Sequence, residues 1–151
     1  MSNRHTIMVA GFDYHQSQLR GLLTEKNYEY SLPKNELLDD CGYDEDDRIY
    51  QYERATYPLH IQAEPDNPYD SQAVRVYAGD TFIGYVPRGK LGDLIHLSAV
   101  PNLSATVEIF GGRYKYLEYD DSEDYYGERD PKHFQIRTED DPVKAIMVFE
   151  W

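Results

Sequence analysis

Apolar and polar residues alternate over several short stretches of the chain, which is the pattern of strands that bury one face. Between two of these stretches, Ala78-Gly79-Asp80 has the composition of a hairpin turn, so 73–77 and 81–86 are predicted to be adjacent antiparallel strands. Short strands at this spacing favour a small, mainly β barrel over an α/β sheet. The alternating stretches are 6–12, 58–64, 73–77, 81–86 and 103–110.

Two other stretches repeat their leucines at helical spacing, which predicts short helices over 17–26 and 88–98. On either side of the acidic stretch at 39–48, the segments 28–32 and 49–54 are predicted to pair as strands. Gly111-Gly112 is predicted to turn the chain after 103–110, and the last strands are expected within 133–138 and 144–151. The side chains expected to face inward from the helices are Leu19, Leu22 and Leu23 in the first and Leu91, Leu94, Ile95 and Leu97 in the second.

The net charge of −13 is concentrated in two windows of the 151-residue chain. Residues 39–48 carry a net charge of −5 and residues 118–130 carry −6, so together they hold −11. Both windows are polar, aperiodic and rich in turn-forming residues, which predicts exposed acidic loop insertions. A uniform charge of this sign would repel nucleic acid, but the remaining residues are close to neutral.

Several function classes are disfavoured by what the chain lacks. Cys41 is the single cysteine, which fits a reducing, cytoplasmic location without an internal disulfide. The opening residues lack a signal-peptide pattern, and no stretch approaches the ~20 apolar residues of a membrane span. The five histidines are scattered, and there is no nucleophile–base grouping. We therefore expect neither an enzyme nor a metal or cofactor site, and no membrane association.

One corner of the sequence stands out, the run "EPDNPYDSQAVRVY" at 64–77. Pro65 and Pro68 fix their φ angles, and Tyr69 and Asp70 add a ring and a carboxylate directly before a strand. The plainer interpretation is a turn in which Asp70 caps the backbone and Tyr69 plugs the barrel end. The sharper one is a preformed acceptor for a small polar group beside an aromatic wall.

The corner together with "FIGYVPR" at 82–88 resembles the HIRAN domain, whose hallmark is EPxNPYDxxAxxV, a hairpin and an IGYVPR-like strand leading into a helix. "VAGF" at 9–12 resembles the family's first strand more weakly. The resemblance implies a stand-alone, bacterial-type HIRAN protein with an OB-like barrel fold. We expect one domain over 1–151, with its core at 7–11 and 58–111, an insertion at about 20–57 and a C-terminal extension at about 112–151.

HIRAN domains are found with DNA repair enzymes, and some bind the 3′ end of single-stranded DNA. Carried over, the resemblance implies that Tyr69 and Asp70 surround the terminal 3′-hydroxyl while Asn67 shapes the turn. The expected partners are single-stranded DNA or DNA 3′ ends, in a repair or replication context. A separate helicase or nuclease is a further candidate partner.

Other family positions transfer less cleanly. An Arg-Tyr-Tyr-like stretch of the relatives corresponds here to Asp13-Tyr14-His15, which keeps two stacking rings and loses a phosphate clamp. Tyr85 and Arg88 correspond to groove residues, and Lys90 is expected to join them. The alternative left open is an acidic protein-interaction or DNA-mimic module that uses the same barrel groove.

Overall fold

The computed structural model describes residues 2–41, 47–119 and 133–151. It confirms a mainly β chain with short helices. The strands are β1 (Arg4–Met8), β2 (Ile49–Tyr50), β3 (Ala55–Ala63), β4 (Val74–Ala78), β5 (Thr81–Tyr85), β6 (Ser104–Tyr119) and β7 (Phe134–Glu150). The α-helices are α1 (Gln16–Gly21), α2 (Lys34–Cys41) and α3 (Leu91–Ser98).

The chain forms two compact units. We call residues 1–24, 54–110 and 142–151 the barrel unit, and residues 25–53 and 111–141 the acidic unit. Counted from the sequence, the acidic unit carries −12 of the net charge of −13 and the barrel unit carries −1. Segments predicted as an insertion and a C-terminal extension thus contribute to one common unit.

In the barrel unit, the strand order is β1-β7-β6-β3-β4-β5. β4 lies antiparallel to β3 and to β5, which confirms the predicted hairpin. Past the end of β1, the Ala10 N–H donates to the Tyr85 carbonyl at 2.8 Å, and the Tyr85 N–H donates back at 2.9 Å. This bridge joins the first and last strands of the order, so the sheet curls into the expected OB-like form.

Gly84 makes this closure possible. Its φ is 153°, and a Cβ at this position would lie 2.3 Å from the Ala10 carbonyl oxygen and 2.7 Å from Val9 Cγ1. Only a glycine lets the two backbones approach so closely. The core that the sheet encloses includes Ile7, Val9, Leu19, Val76, Ile83, Val107, Ile109, Met147 and Phe149.

The two predicted helices of this unit are present with adjusted limits. A 3₁₀ turn over Arg88–Lys90 leads into α3, where Leu94 and Leu97 are buried as predicted. Ile95 is 69% exposed, so its predicted inward orientation is wrong. α1 ends at Gly21, earlier than predicted, although Leu23 beyond it is still buried.

The acidic unit has its own apolar cluster. Leu37 and Leu38 from α2, a helix that the sequence pattern does not predict, pack with Ile49, Leu117 and Phe134. Their mutual burial explains why the polar α2 is held in place despite its charged residues.

The predicted pairing of strands 28–32 and 49–54 is wrong. Residues Tyr28–Ser31 form a 3₁₀ turn because the Asn27 side chain accepts the N–H of Glu29 at 3.2 Å, which caps the turn. β2 pairs instead with β6, through Tyr50 opposite Tyr114.

Gly111-Gly112 does not turn the chain either. β6 runs through both residues, with φ values of 107° and 86° that glycine tolerates inside a strand. The segments expected as separate strands at 133–138 and 144–151 belong to the continuous β7. Asp39 of the first acidic window lies in α2 and Glu118 of the second lies in β6, so these ends of the windows are not loops as predicted. Residues 42–46 of the first window and 120–130 of the second lie outside the described residues.

Candidate nucleic-acid interface

Residues 64–73, the part of the corner that precedes β4 and keeps that name below, form a hydrogen-bonded turn. The Asn67 side-chain oxygen accepts the N–H groups of Tyr69 at 2.8 Å and Asp70 at 3.0 Å. Asp70 Oδ1 in turn accepts the N–H of Gln72 at 2.9 Å. Both are the local side-chain bonds that Asn and Asp form in turns. Asn67 therefore shapes the turn, and one oxygen of Asp70 caps it.

Main-chain bonds tie the two ends of the corner together. The Glu64 N–H donates to the Ala73 carbonyl at 2.9 Å, and the Ala73 N–H donates to the Asp70 carbonyl at 3.1 Å. Pro65 and Pro68 further restrict the backbone between these points. A ligand at this corner meets a surface that is already ordered, which lowers the entropy cost of binding.

A groove of about 740 Å³ opens beside the corner. It brings together most of the residues singled out in the sequence and leaves others outside it. Lys90 is not among its lining residues and lies 3.6 Å from Asp93 instead; Asp13 is exposed and does not line the groove either. The predicted residues that line the groove are Tyr14, His15, Asn67, Tyr69, Asp70, Tyr85 and Arg88.

Two aromatic rings stand almost free in this groove. Tyr14 is 88% exposed and Tyr69 is 89% exposed, the highest fractions among the large apolar side chains of the described residues. Neither ring packs in the core, so a structural role does not account for its position. Exposed tyrosines of this kind are suited to stacking on flat partners such as bases.

Asp70 and Arg88 form an ion pair within the groove lining. Asp70 Oδ2 lies 3.3 Å from Arg88 Nε, and Arg88 also reaches the Tyr69 carbonyl at 3.5 Å. Arg88 is 77% exposed, so this ion pair is worth at most about 1 kcal/mol and a ligand can rearrange it. A carboxylate oxygen has a second lone pair, so Oδ2 can still accept a hydrogen bond from a hydroxyl group.

Glu64, the first residue of the corner, is a groove residue that the sequence interpretation missed. Its Oε2 accepts the Tyr85 hydroxyl at 3.1 Å and also the Arg75 Nε–H, and its Oε1 accepts from the Asn67 amide at 3.3 Å. The hydrogen bond from Arg75 lowers the pKa of Glu64, while burial and then Glu64 raise the pKa of Tyr85. Arg75 and Tyr85 lie 11 and 21 positions away from Glu64 in the sequence, where no local spacing would reveal them as its partners.

His15 and Arg75 share an aromatic neighbour beneath the groove. The His15 ring meets Phe82 edge-on at 4.5 Å, and the Arg75 guanidinium lies 4.7 Å from the centre of the same ring. Burial and the charge of Arg75 both lower the pKa of His15, so its imidazole is neutral at pH 7. His15 thus offers the groove a ring and hydrogen-bonding nitrogens without a positive charge.

Within residues 2–41, 47–119 and 133–151, no group of three or more His, Cys, Asp or Glu side chains could hold a metal ion. In the same ranges, no helix has the length and apolar character needed to cross a membrane.

Comparison with known proteins points to one family. No curated protein and no solved structure matches the chain. Residues 41–110 match the family model of the HIRAN domain, a range that includes the corner, the β4–β5 hairpin and α3. The match begins inside the segment predicted as an insertion, and it does not extend to 7–11. The HIRAN family is associated with nucleic-acid binding and with roles related to DNA repair. Over residues 41–110, just under half of its length, the chain is therefore similar to the HIRAN domain.

Proposed function

We propose that the barrel unit binds the 3′ end of single-stranded DNA in its groove, in a DNA repair or replication context. One observation carries the proposal: Tyr14, Tyr69 and Asp70 line the same groove, two free rings beside a carboxylate held in a fixed turn. Terminal bases stack on the rings, and the terminal hydroxyl is placed at the carboxylate.

Asp70 supplies the end discrimination in this proposal. The 3′-hydroxyl donates a hydrogen bond to Oδ2, a charge-assisted contact of roughly 1.5–3 kcal/mol. A 3′-phosphate at the same position would bring negative charge against the carboxylates of Asp70 and Glu64, which both line the groove. Arg88 moderates this repulsion and is free to approach the penultimate phosphate.

The groove favours binding without sequence selectivity. Each stacked base contributes about 1–3 kcal/mol through Tyr14 or Tyr69, and every base offers a suitable face. Of the described residues that line the groove, Arg88 is the one Lys or Arg. With so few phosphates neutralised, binding depends weakly on salt.

We assign no chemistry to this chain beyond binding. The groove holds an acceptor, rings and a cation, and the proposal requires no reaction at the bound end. A separate helicase or nuclease would act on the DNA end that this domain has located.

The alternative, an acidic module that binds a basic protein, is favoured by a different observation. The acidic unit carries −12 of the net charge while the barrel unit is nearly neutral. Such a segregated charge speeds encounter with basic partners. In this alternative, the groove would accept a protein segment in place of a DNA end.

Fluorescence anisotropy separates the two functions. A labelled oligothymidine with a 3′-hydroxyl and its 3′-phosphate counterpart are titrated with the protein at low salt. End recognition predicts clearly tighter binding of the hydroxyl strand. Equal affinities would remove end recognition, and no binding of either strand would leave the acidic interaction module as the better account.

A further inference from the structure

We propose that Glu64 determines the end specificity of the groove by engaging the guanidinium of Arg75, so that Arg75 does not act as a phosphate-binding cation. This inference rests on the proposed function and adds a residue to it. Glu64 belongs to the groove lining and Arg75 does not, although the two side chains are hydrogen-bonded.

The geometry places Glu64 at the junction of three elements. It belongs to the corner, and it accepts hydrogen bonds from Arg75 on β4 and Tyr85 on β5. The Glu64 side chain is 18% exposed and that of Arg75 is 36% exposed. The pair is thus partly withdrawn from water, where solvent screens it less than it does the open Asp70–Arg88 pair.

The charge balance of the site depends on this pair. Arg75 also lies over Phe82 and reaches the Tyr77 hydroxyl at 3.4 Å, so it is held in place beside Glu64 of the groove lining. With Glu64 neutral, the uncompensated positive charge of Arg75 would lie next to His15 and Tyr85, both of which line the groove. A strand ending in phosphate would then find an attractive field where the native protein offers none.

The test compares Glu64→Gln with Glu108→Gln in the full chain. Glu108 is the matched control because it is also a glutamate of the barrel unit with a mostly buried side chain, 21% exposed, and it pairs with Arg4 and Arg54 outside the groove. Both variants lose the same charge. Dissociation constants for 3′-hydroxyl and 3′-phosphate oligothymidines are measured at several salt concentrations.

Glu64→Gln is expected to tighten binding of the 3′-phosphate strand roughly tenfold, the size of one charge-assisted contact. Its slope of log affinity against log salt should steepen by about 0.7, the value for one added phosphate contact on a single strand. Glu108→Gln should change neither quantity. Adding Arg75→Gln to Glu64→Gln should restore the native discrimination, since the freed cation is then removed.

Two results would overturn the inference. Equal shifts in Glu64→Gln and Glu108→Gln would show an effect of net charge alone. A loss of affinity for both strands in Glu64→Gln, with an unchanged salt slope, would show a merely structural role.

A measurement on the free protein separates this inference from the proposed function. The pKa of His15 is followed by NMR in the wild type and in both variants. Glu64→Gln should lower it further, because the charge of Arg75 is no longer offset, and Glu108→Gln should not. An unmoved His15 would overturn the charge offset itself. A wild type that binds neither strand would instead contradict the proposed function, and with it the role of Glu64 in specificity.

Discussion

The two units of this chain differ in net charge and in what their side chains do, although they contain the same residue types. The barrel unit carries a net charge of −1 and holds the groove, whereas the acidic unit carries −12 and is built on a small apolar cluster. The charge of the whole chain therefore describes the acidic unit. It says little about whether the groove can accept a polyanion.

The tyrosines show most clearly how the two units differ. In the acidic unit, the Tyr114 hydroxyl donates to Glu139 at 2.7 Å, which raises the pKa of Tyr114 to about 12. That ring is 4% exposed and serves packing. In the barrel unit, Tyr14 and Tyr69 are exposed and line the same groove as Asp70, whose carboxylate accepts the Gln72 N–H. The same side chain is structural in one unit and available to a ligand in the other.

The largest expected effect comes from emptying the core of the acidic unit. Phe134 is 1% exposed, so Phe134→Ala should cost about 3–5 kcal/mol of folding free energy. Urea denaturation measures the loss, and Tyr28→Ala, at a residue 68% exposed, is the control expected to change little. If DNA affinity falls with Phe134→Ala while the barrel unit stays folded, the functional separation of the two units fails.

A comparable effect is expected from the closure of the barrel unit. Gly84→Ala would force a Cβ against the Ala10 carbonyl, and we expect a loss of about 3 kcal/mol from steric overlap and backbone strain. The matched control is Gly92→Ala in α3, where a Cβ meets nothing within 4 Å and should stabilise by about 0.5 kcal/mol. Similar urea midpoints for both variants would contradict the role assigned to Gly84.

Much of the barrel unit could be predicted because its signals are local. The 73–77 and 81–86 hairpin follows from alternation around a turn, and Asn67 and Asp70 bond to backbone groups two or three residues away. Asp70 precedes β4 and Arg88 follows β5, so the hairpin brings the two side chains to the same end of its strands.

The acidic unit resisted prediction because its structure depends on distant partners. Gly111-Gly112 has the composition of a turn, yet pairing of the strand beyond it with Ile49 and Tyr50 keeps β6 extended. α2 depends on burial of Leu37 and Leu38 against residues far along the chain. The role of Glu64 could not be predicted for the same reason, since Arg75 and Tyr85 lie on β4 and β5.

Intermediate effects are expected at the rings of the groove. Tyr69→Ala and Tyr14→Ala should each weaken binding of any single strand by about 1–3 kcal/mol through lost stacking. Because neither ring is buried, folding stability should hardly change. Anisotropy with the two end chemistries measures both affinity and preference. A change in end preference without a loss of affinity would mean that the rings do not act as stacking surfaces.

The smallest effect is expected at Lys90. It pairs with Asp93 and does not line the groove, so Lys90→Gln should change affinity by less than about twofold, as for an ordinary surface pair. Arg88→Gln is the comparison and should weaken binding more and reduce the salt slope by about 0.7, the value of one phosphate contact. Equal effects of the two variants would show that Lys90 contributes to binding as much as Arg88 does.

In the proposed function, Asp70 recognises the terminal hydroxyl. Asp70→Asn keeps an oxygen that can accept the Gln72 N–H, so the corner is retained while the charge is removed. The most direct measurement is the ratio of dissociation constants for 3′-phosphate and 3′-hydroxyl strands in the wild type and in this variant. End recognition by Asp70 predicts a ratio well above one in the wild type and close to one in Asp70→Asn, with unchanged folding. A wild-type ratio of one, or a ratio that Asp70→Asn leaves intact, would contradict it.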